Sequence, residues 1–74
     1  MIPEEIIDAF YTRNRTPEYP FAVNDVVTVR SGSRTGSRAW IVSLEEGNPD
    51  VAYLIEYDGG PSEIRGLNEL EIQK

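Results

Sequence analysis

The sequence predicts a mainly β fold: about five short antiparallel strands rolled into a small barrel behind an N-terminal α-helix. Three observations carry that expectation. In Asn24 to Leu44, NDVVTVRSGSRTGSRAWIVSL, two β-branched runs flank a polar loop, the pattern of a hairpin with a long arginine-bearing loop. Further on, Asp58, Gly59, Gly60 and Pro61 separate two more strand-like runs, and Asp-Gly is a strong hairpin signal. Ahead of these runs, apolar residues recur at helical spacing.

The helix is expected over residues 1–13. Pro3 suits a first turn, because its missing N–H would have no partner there, and Glu4, Glu5 and Asp8 complement the positive end of the helix dipole. Ile2, Ile6, Ala9 and Phe10 share a face, with Ile7 and Tyr11 beside them. So short a helix is marginal alone, so the stripe must pack on the rest of the chain or on a partner. Residues 14–23 form an extended connector, since Pro17 and Pro20 both oppose a helix.

The barrel is expected over 24–74, making one domain with the helix. Its first strand, Asp25 to Arg30, alternates Val27 and Val29 against Val26, Thr28 and Arg30; its second runs from Ala39 to Leu44. Gly47, Asn48 and Pro49 break the chain in a turn between Glu45 and Asp50. Val51 to Tyr57 then sets Val51, Tyr53, Ile55 and Tyr57 opposite Ala52, Leu54 and Glu56. Ser62 to Arg65 is a short fourth strand. One helical turn at Leu67 to Leu70 and a last short strand through Ile72 complete the plan.

Composition restricts the chemistry. A chain of 74 residues buries only roughly 60% of the surface that its unfolded form exposes, so the core is a single cluster with no room for a large enclosed substrate cavity. The sequence has neither Cys nor His, which removes disulfides, thiolate nucleophiles, the commonest metal ligands and the usual general base. Carboxylate pairs such as Glu45 with Glu46, or Asp58 with Glu63, fall in or beside turns, where they read as solvated surface acids rather than an acid–base pair. SGSRTGS lacks the G-K-[ST] ending and the following helix of a phosphate-binding loop. The chain is therefore read as non-enzymatic, with no catalytic residue, cofactor or metal site. No apolar run approaches the roughly 18 residues of a membrane span, and the N-terminus has acids where a signal peptide has bases. A complete, cytoplasmic protein without a membrane association is expected, monomeric by preference.

Charge is uneven along the chain. Net charge is −6, yet Arg13, Arg15, Arg30, Arg34 and Arg38 fall between acidic ends. Bulk charge repels phosphate at long range, which leaves only a local arginine patch as a route to nucleic acid.

The run from Asn24 to Leu44 resembles a KOW motif, whose pattern is roughly G-D-x-V-x-V, a glycine-bearing loop, then G-x-V and a further apolar position. Asp25, Val27, Val29, Gly32, Gly36, Ile41 and Leu44 sit at matching positions, while Asn24 and Ala39 stand where the family usually has glycine. Five short strands with one turn near the end are likewise similar to an SH3-like barrel. In KOW proteins the loop meets RNA or protein, a role the resemblance would carry to Arg30, Arg34 and Arg38. The plan is also similar to SH3-like accessory subunits of photosynthetic complexes, and to small bacterial barrels of the immunity type that neutralise a toxin.

These readings converge on a protein-binding or accessory module, with a KOW-like RNA-binding domain and an immunity protein as alternatives. The expected partner-binding residues are Arg30, Arg34, Arg38, Trp40, Tyr53 and Tyr57. Trp40 alternates with Ile41, so it either faces solvent or packs beneath the helix. In the first case it would form an aromatic and arginine surface with Arg38 and Tyr53 or Tyr57, while a protein partner would be acidic where it meets the loop of Arg30, Arg34 and Arg38.

Overall fold

The computed structural model describes residues 1–47 and 50–73; the expected turn residues Asn48 and Pro49, and Lys74, lie outside them. Helix α1 spans Glu4–Tyr11. The Pro3 carbonyl accepts the Ile6 and Ile7 amides, which makes Pro3 the cap rather than the first helical residue. The helix ends two residues before Arg13 in a Schellman arrangement: Asn14 N–H donates to Ala9 O and Arg13 N–H to Phe10 O, with Arg13 at φ +61°. That left-handed position usually belongs to glycine. Here the Arg13 side chain holds it, donating to the Val23 carbonyl and to Asp25 Oδ1 at 3.1 Å.

Strands β1 (Val26–Val29), β2 (Arg38–Glu46), β3 (Val51–Tyr57), β4 (Ser62–Gly66) and β5 (Leu70–Ile72) build one antiparallel sheet in the order β4-β3-β2-β1-β5. A 3-10 turn, Leu67–Glu69, joins β4 to β5. The five strands and the terminal turn are those expected. The closed barrel is not: β4 and β5 are the sheet edges, and among the described residues no ladder joins them. The inward positions of β4 explain the opening. They carry Glu63 and Arg65, and the Arg65 guanidinium, held by Glu63, reaches Glu69 of the 3-10 turn beside the gap.

β2 departs from simple alternation. Ile41 pairs with Ile55 but Ser43 with Leu54, so Val42 is the extra residue of a β-bulge. Ahead of it, Ala39 and Ile41 face the core; beyond it the faces exchange, so Leu44 rather than Ser43 packs inward. Strict alternation would place Ser43 on the face of Ile41, and the bulge reverses that. The strand also continues through Glu45 and Glu46, expected in the turn.

The helix lies on the inner face of the sheet. Phe10 and Phe21 both pack against Tyr53, with ring centroids 5.9 and 5.4 Å away, over Ile41, Ile55 and Val27. Of the two fates left open for the apolar stripe, docking on its own domain is the one observed. Asp25 fixes the connector beneath: almost fully buried, it accepts the Ala22 amide at 2.8 Å and hydrogen bonds from Arg13 and Arg15. No helix among the described residues is long and apolar enough to cross a membrane.

Candidate functional site

The loop between β1 and β2 is a chain of tight turns folded back on itself. Gly36 N–H returns to Val29 O at 2.7 Å, Ser37 N–H reaches Arg34 O, and the Thr35 hydroxyl donates to Gly32 O. Gly32 and Gly36 adopt φ near +84° and +90°, which side-chain-bearing residues rarely take. At Gly32 a Cβ would also stand 2.7 Å from the Arg65 guanidinium.

Of the three expected arginines, Arg34 and Arg38 come together with Tyr57 and Asp58 around one shallow surface pocket, and Arg30 stands apart from them. Arg30 Nη1 lies 2.6 Å from Glu71 Oε2, which neutralises it across β1 and β5. Arg38 contacts Asp58 at 3.3 Å across β2 and the β3–β4 turn. Arg34 stacks over the Tyr57 ring at 4.7 Å, a cation–π contact rather than an outward-facing charge. All three side chains remain exposed.

The expected aromatic surface divides in the same way. Tyr53 is 1% exposed and Tyr57 is buried, both on the inner face with Ile55. Trp40 faces outward, paired between Val26 on β1 and Glu56 on β3. Thus Tyr53 and Tyr57 cannot share a surface with Trp40, because odd and even positions of paired strands project to opposite sides. Trp40 is not beneath the helix either, since the helix occupies the other face.

Around Trp40 the register assembles residues that sequence reasoning left out. Val26 lies beside it on β1, the bulge residue Val42 follows it on β2, and Leu54 with Ile64 form the adjacent cross-strand row. Val26 is 44%, Val42 37% and Ile64 57% exposed. Each is an outward strand position where an ordinary solvated face has polar residues, and that was the signal open to sequence reading. The rim is charged: Glu56 is Trp40's direct neighbour, and Arg38 with Asp58 closes one end.

A second assembly spans the open edge. Arg65 holds Glu63 and Glu69 at 2.9 Å each, Tyr57 donates to Glu63, and Ser31 donates to Glu69 at 2.7 Å. Hydrogen bonds from Ser31, Gly66 N–H and Arg65 hold the Glu69 carboxyl at about 2, and Tyr57 with Arg65 lowers that of Glu63. Burial and the Glu63 hydrogen bond raise Tyr57. Both carboxylates are held in the charged form, Glu69 accepting through both oxygens and Glu63 through Oε1. They tie the loop and the 3-10 turn to β4. No family model, curated protein or solved structure matches the chain.

Proposed function

We propose that the chain is a non-catalytic protein-binding module, an open SH3-like sheet that docks a partner on its outer face around Trp40. The observation carrying this reading is the contiguous apolar patch of Trp40, Val26, Val42, Leu54 and Ile64 on the side opposite the helix. Partly exposed aromatic and aliphatic side chains ringed by charge are the composition of protein interfaces, and Trp is the commonest kind of anchor. The single 3-10 turn between the fourth and fifth strands supports the SH3-like plan.

Charge complementarity sets the partner's character. An acidic partner was expected from three free arginines, but Arg30 and Arg38 are each matched by a carboxylate. With a net charge of −6 and Glu56 beside Trp40, the chain favours a protein that surrounds an apolar centre with basic residues. Net charge and the carboxylates beside Arg30 and Arg38 favour this reading over RNA, although the pairs are exposed.

The test compares immobilised wild type, Trp40→Ala and the Arg30, Arg34 and Arg38→Ala triple variant for proteins retained from cell extract. A fluorescent oligouridylate measures RNA binding in parallel. A retained protein should lose about 30-fold or more in affinity with Trp40→Ala, the size of an anchor residue, and clearly less with the triple variant. Oligouridylate binding that falls steeply with salt and vanishes in the triple variant would replace this reading with the RNA one.

A further inference from the structure

Of the two open edges of the sheet, β4 is the longer, since β5 is only three residues. Tyr57 N–H donates to Pro61 O, which makes these two a hydrogen-bonded pair; by alternation along an antiparallel ladder, Ile55 with Glu63 and Tyr53 with Arg65 are hydrogen-bonded pairs too. The backbone groups of Ser62, Ile64 and Gly66 therefore point away from β3, along the free edge. Among the described residues only one of these groups has a partner, the Gly66 N–H, which donates to Glu69 Oε1 at 2.8 Å. Ser62 is exposed, and Ile64 is 57% exposed. Such a row of unpaired groups is a template for another strand.

The residues of this edge, SEIRG, select the strand that fits it. Outward groups can pair only with outward groups, so an antiparallel β4 from a second copy is free to shift in steps of two residues. Centred on Glu63, the pairing sets Glu63 against Glu63 of the other copy; centred on Arg65, it sets Arg65 against Arg65. Both oppose like charges. Centred on Ile64, it sets Ile64 against Ile64, Ser62 against Gly66 and, by two-fold symmetry, each Glu63 against an Arg65. Both charged groups have capacity to spare: among the described residues Glu63 accepts through Oε1 and not Oε2, and Arg65 donates through Nε and Nη1 and not Nη2.

We propose that β4 is a self-pairing edge, through which two copies of the chain join antiparallel, in register about Ile64, into one continuous sheet. The two Ile64 residues exchange both backbone hydrogen bonds, and each Ser62 N–H donates to Gly66 O of the other copy. On the outer face the row of Leu54 and Ile64 continues from one copy into the next. So short an edge buries well under the roughly 1,000 Å² of a stable interface, and a net charge of −6 on each copy opposes association, so the dimer is a weak one. The monomer expected from the sequence is then the dilute species. The pairing is independent of the partner proposed at Trp40, which uses the face of the sheet and not its edge.

Sedimentation velocity of the intact chain from about 0.02 to about 2 mM, in about 0.15 M salt to screen the bulk repulsion, measures the association. The mean sedimentation coefficient should rise with concentration, and the amide shifts of Ser62 and Ile64 should move with it. In a mixture of isotope-labelled and unlabelled chain, a filtered NOE experiment should show an intermolecular contact between the α protons of Glu63 and Arg65. That is the pair this register brings to the roughly 4.5 Å Cα spacing of non-hydrogen-bonded partners. Ile64→Lys, at an exposed position outside the core, sets two like charges opposite each other and should weaken association about tenfold or more. The proposal is overturned if the chain is monomeric throughout the range, if Ile64→Lys associates as tightly as wild type, or if the intermolecular contacts fall in another register or on another surface.

Discussion

Arg13 illustrates how single side chains set this fold. It takes a backbone conformation normally left to glycine, and its guanidinium then reaches the Val23 carbonyl and Asp25. The strain of the helix end is thus tied to the anchoring of the connector. Burial alone would raise the Asp25 carboxyl, but hydrogen bonds from Arg15 and Ala22 N–H and the nearby guanidinium charges outweigh it, and the group lies below its ordinary value. Phe10 acts from the other side of the same junction, 3% exposed and packed on Tyr53. Replacing Phe10 by Ala should cost about 3 to 5 kcal/mol of unfolding free energy in urea titration; an unchanged midpoint would mean the helix contributes nothing to the fold. Phe10 was legible in the sequence because helical spacing marks its stripe. The Arg13–Asp25 contact was not, since it joins residues through a turn whose left-handed φ no residue type announces. Asn24 is similar: a departure from the motif's glycine, it sits at φ +68°, a conformation Asn tolerates nearly as Gly does.

At the scale of elements, all five strands were readable from β-branched runs and their breakers, and their faces follow from period-two alternation. What alternation cannot register is the extra residue at Val42, which moves Leu44 into the core and extends β2 to Glu46. Nor does it register closure. Whether β4 meets β5 depends on side chains across the gap, and there Glu63, Arg65, Glu69 and Ser31 make a polar strap. The strap gives the domain an acid sensitivity with a defined sign. The folded state holds Glu69 at about 2 against an ordinary value of 4.5, and Glu63 is lowered as well. Stability from these groups is complete above the ordinary carboxylate range and is lost as pH falls from about 4.5 towards about 2. Thermal melts across that window should show a falling midpoint. Glu69→Gln should start lower at neutral pH and fall less steeply. An identical slope in wild type and variant would place the acid response elsewhere.

Taken whole, the molecule has two unlike sides. The inner face is covered by its own helix and connector, and Tyr53 and Tyr57, expected to meet a partner, belong to the buried core, Tyr57 also lining the shallow pocket with Arg34 and Arg38. The arginine loop is folded back, and two of its charges are matched internally. The outer face keeps its apolar side chains without such cover. Trp40 was identified from sequence because Trp is rare and conspicuous, whereas its companions Val26, Val42, Leu54 and Ile64 looked like ordinary strand residues until the register put them side by side. The most direct measurement of the central proposal is backbone amide chemical-shift mapping of the chain bound to its purified partner. The account predicts perturbations centred on Val26, Trp40, Val42, Leu54 and Ile64, with the loop from Arg30 to Ser37 shifted little. A footprint centred on that loop, with the outer sheet face unchanged, would contradict it.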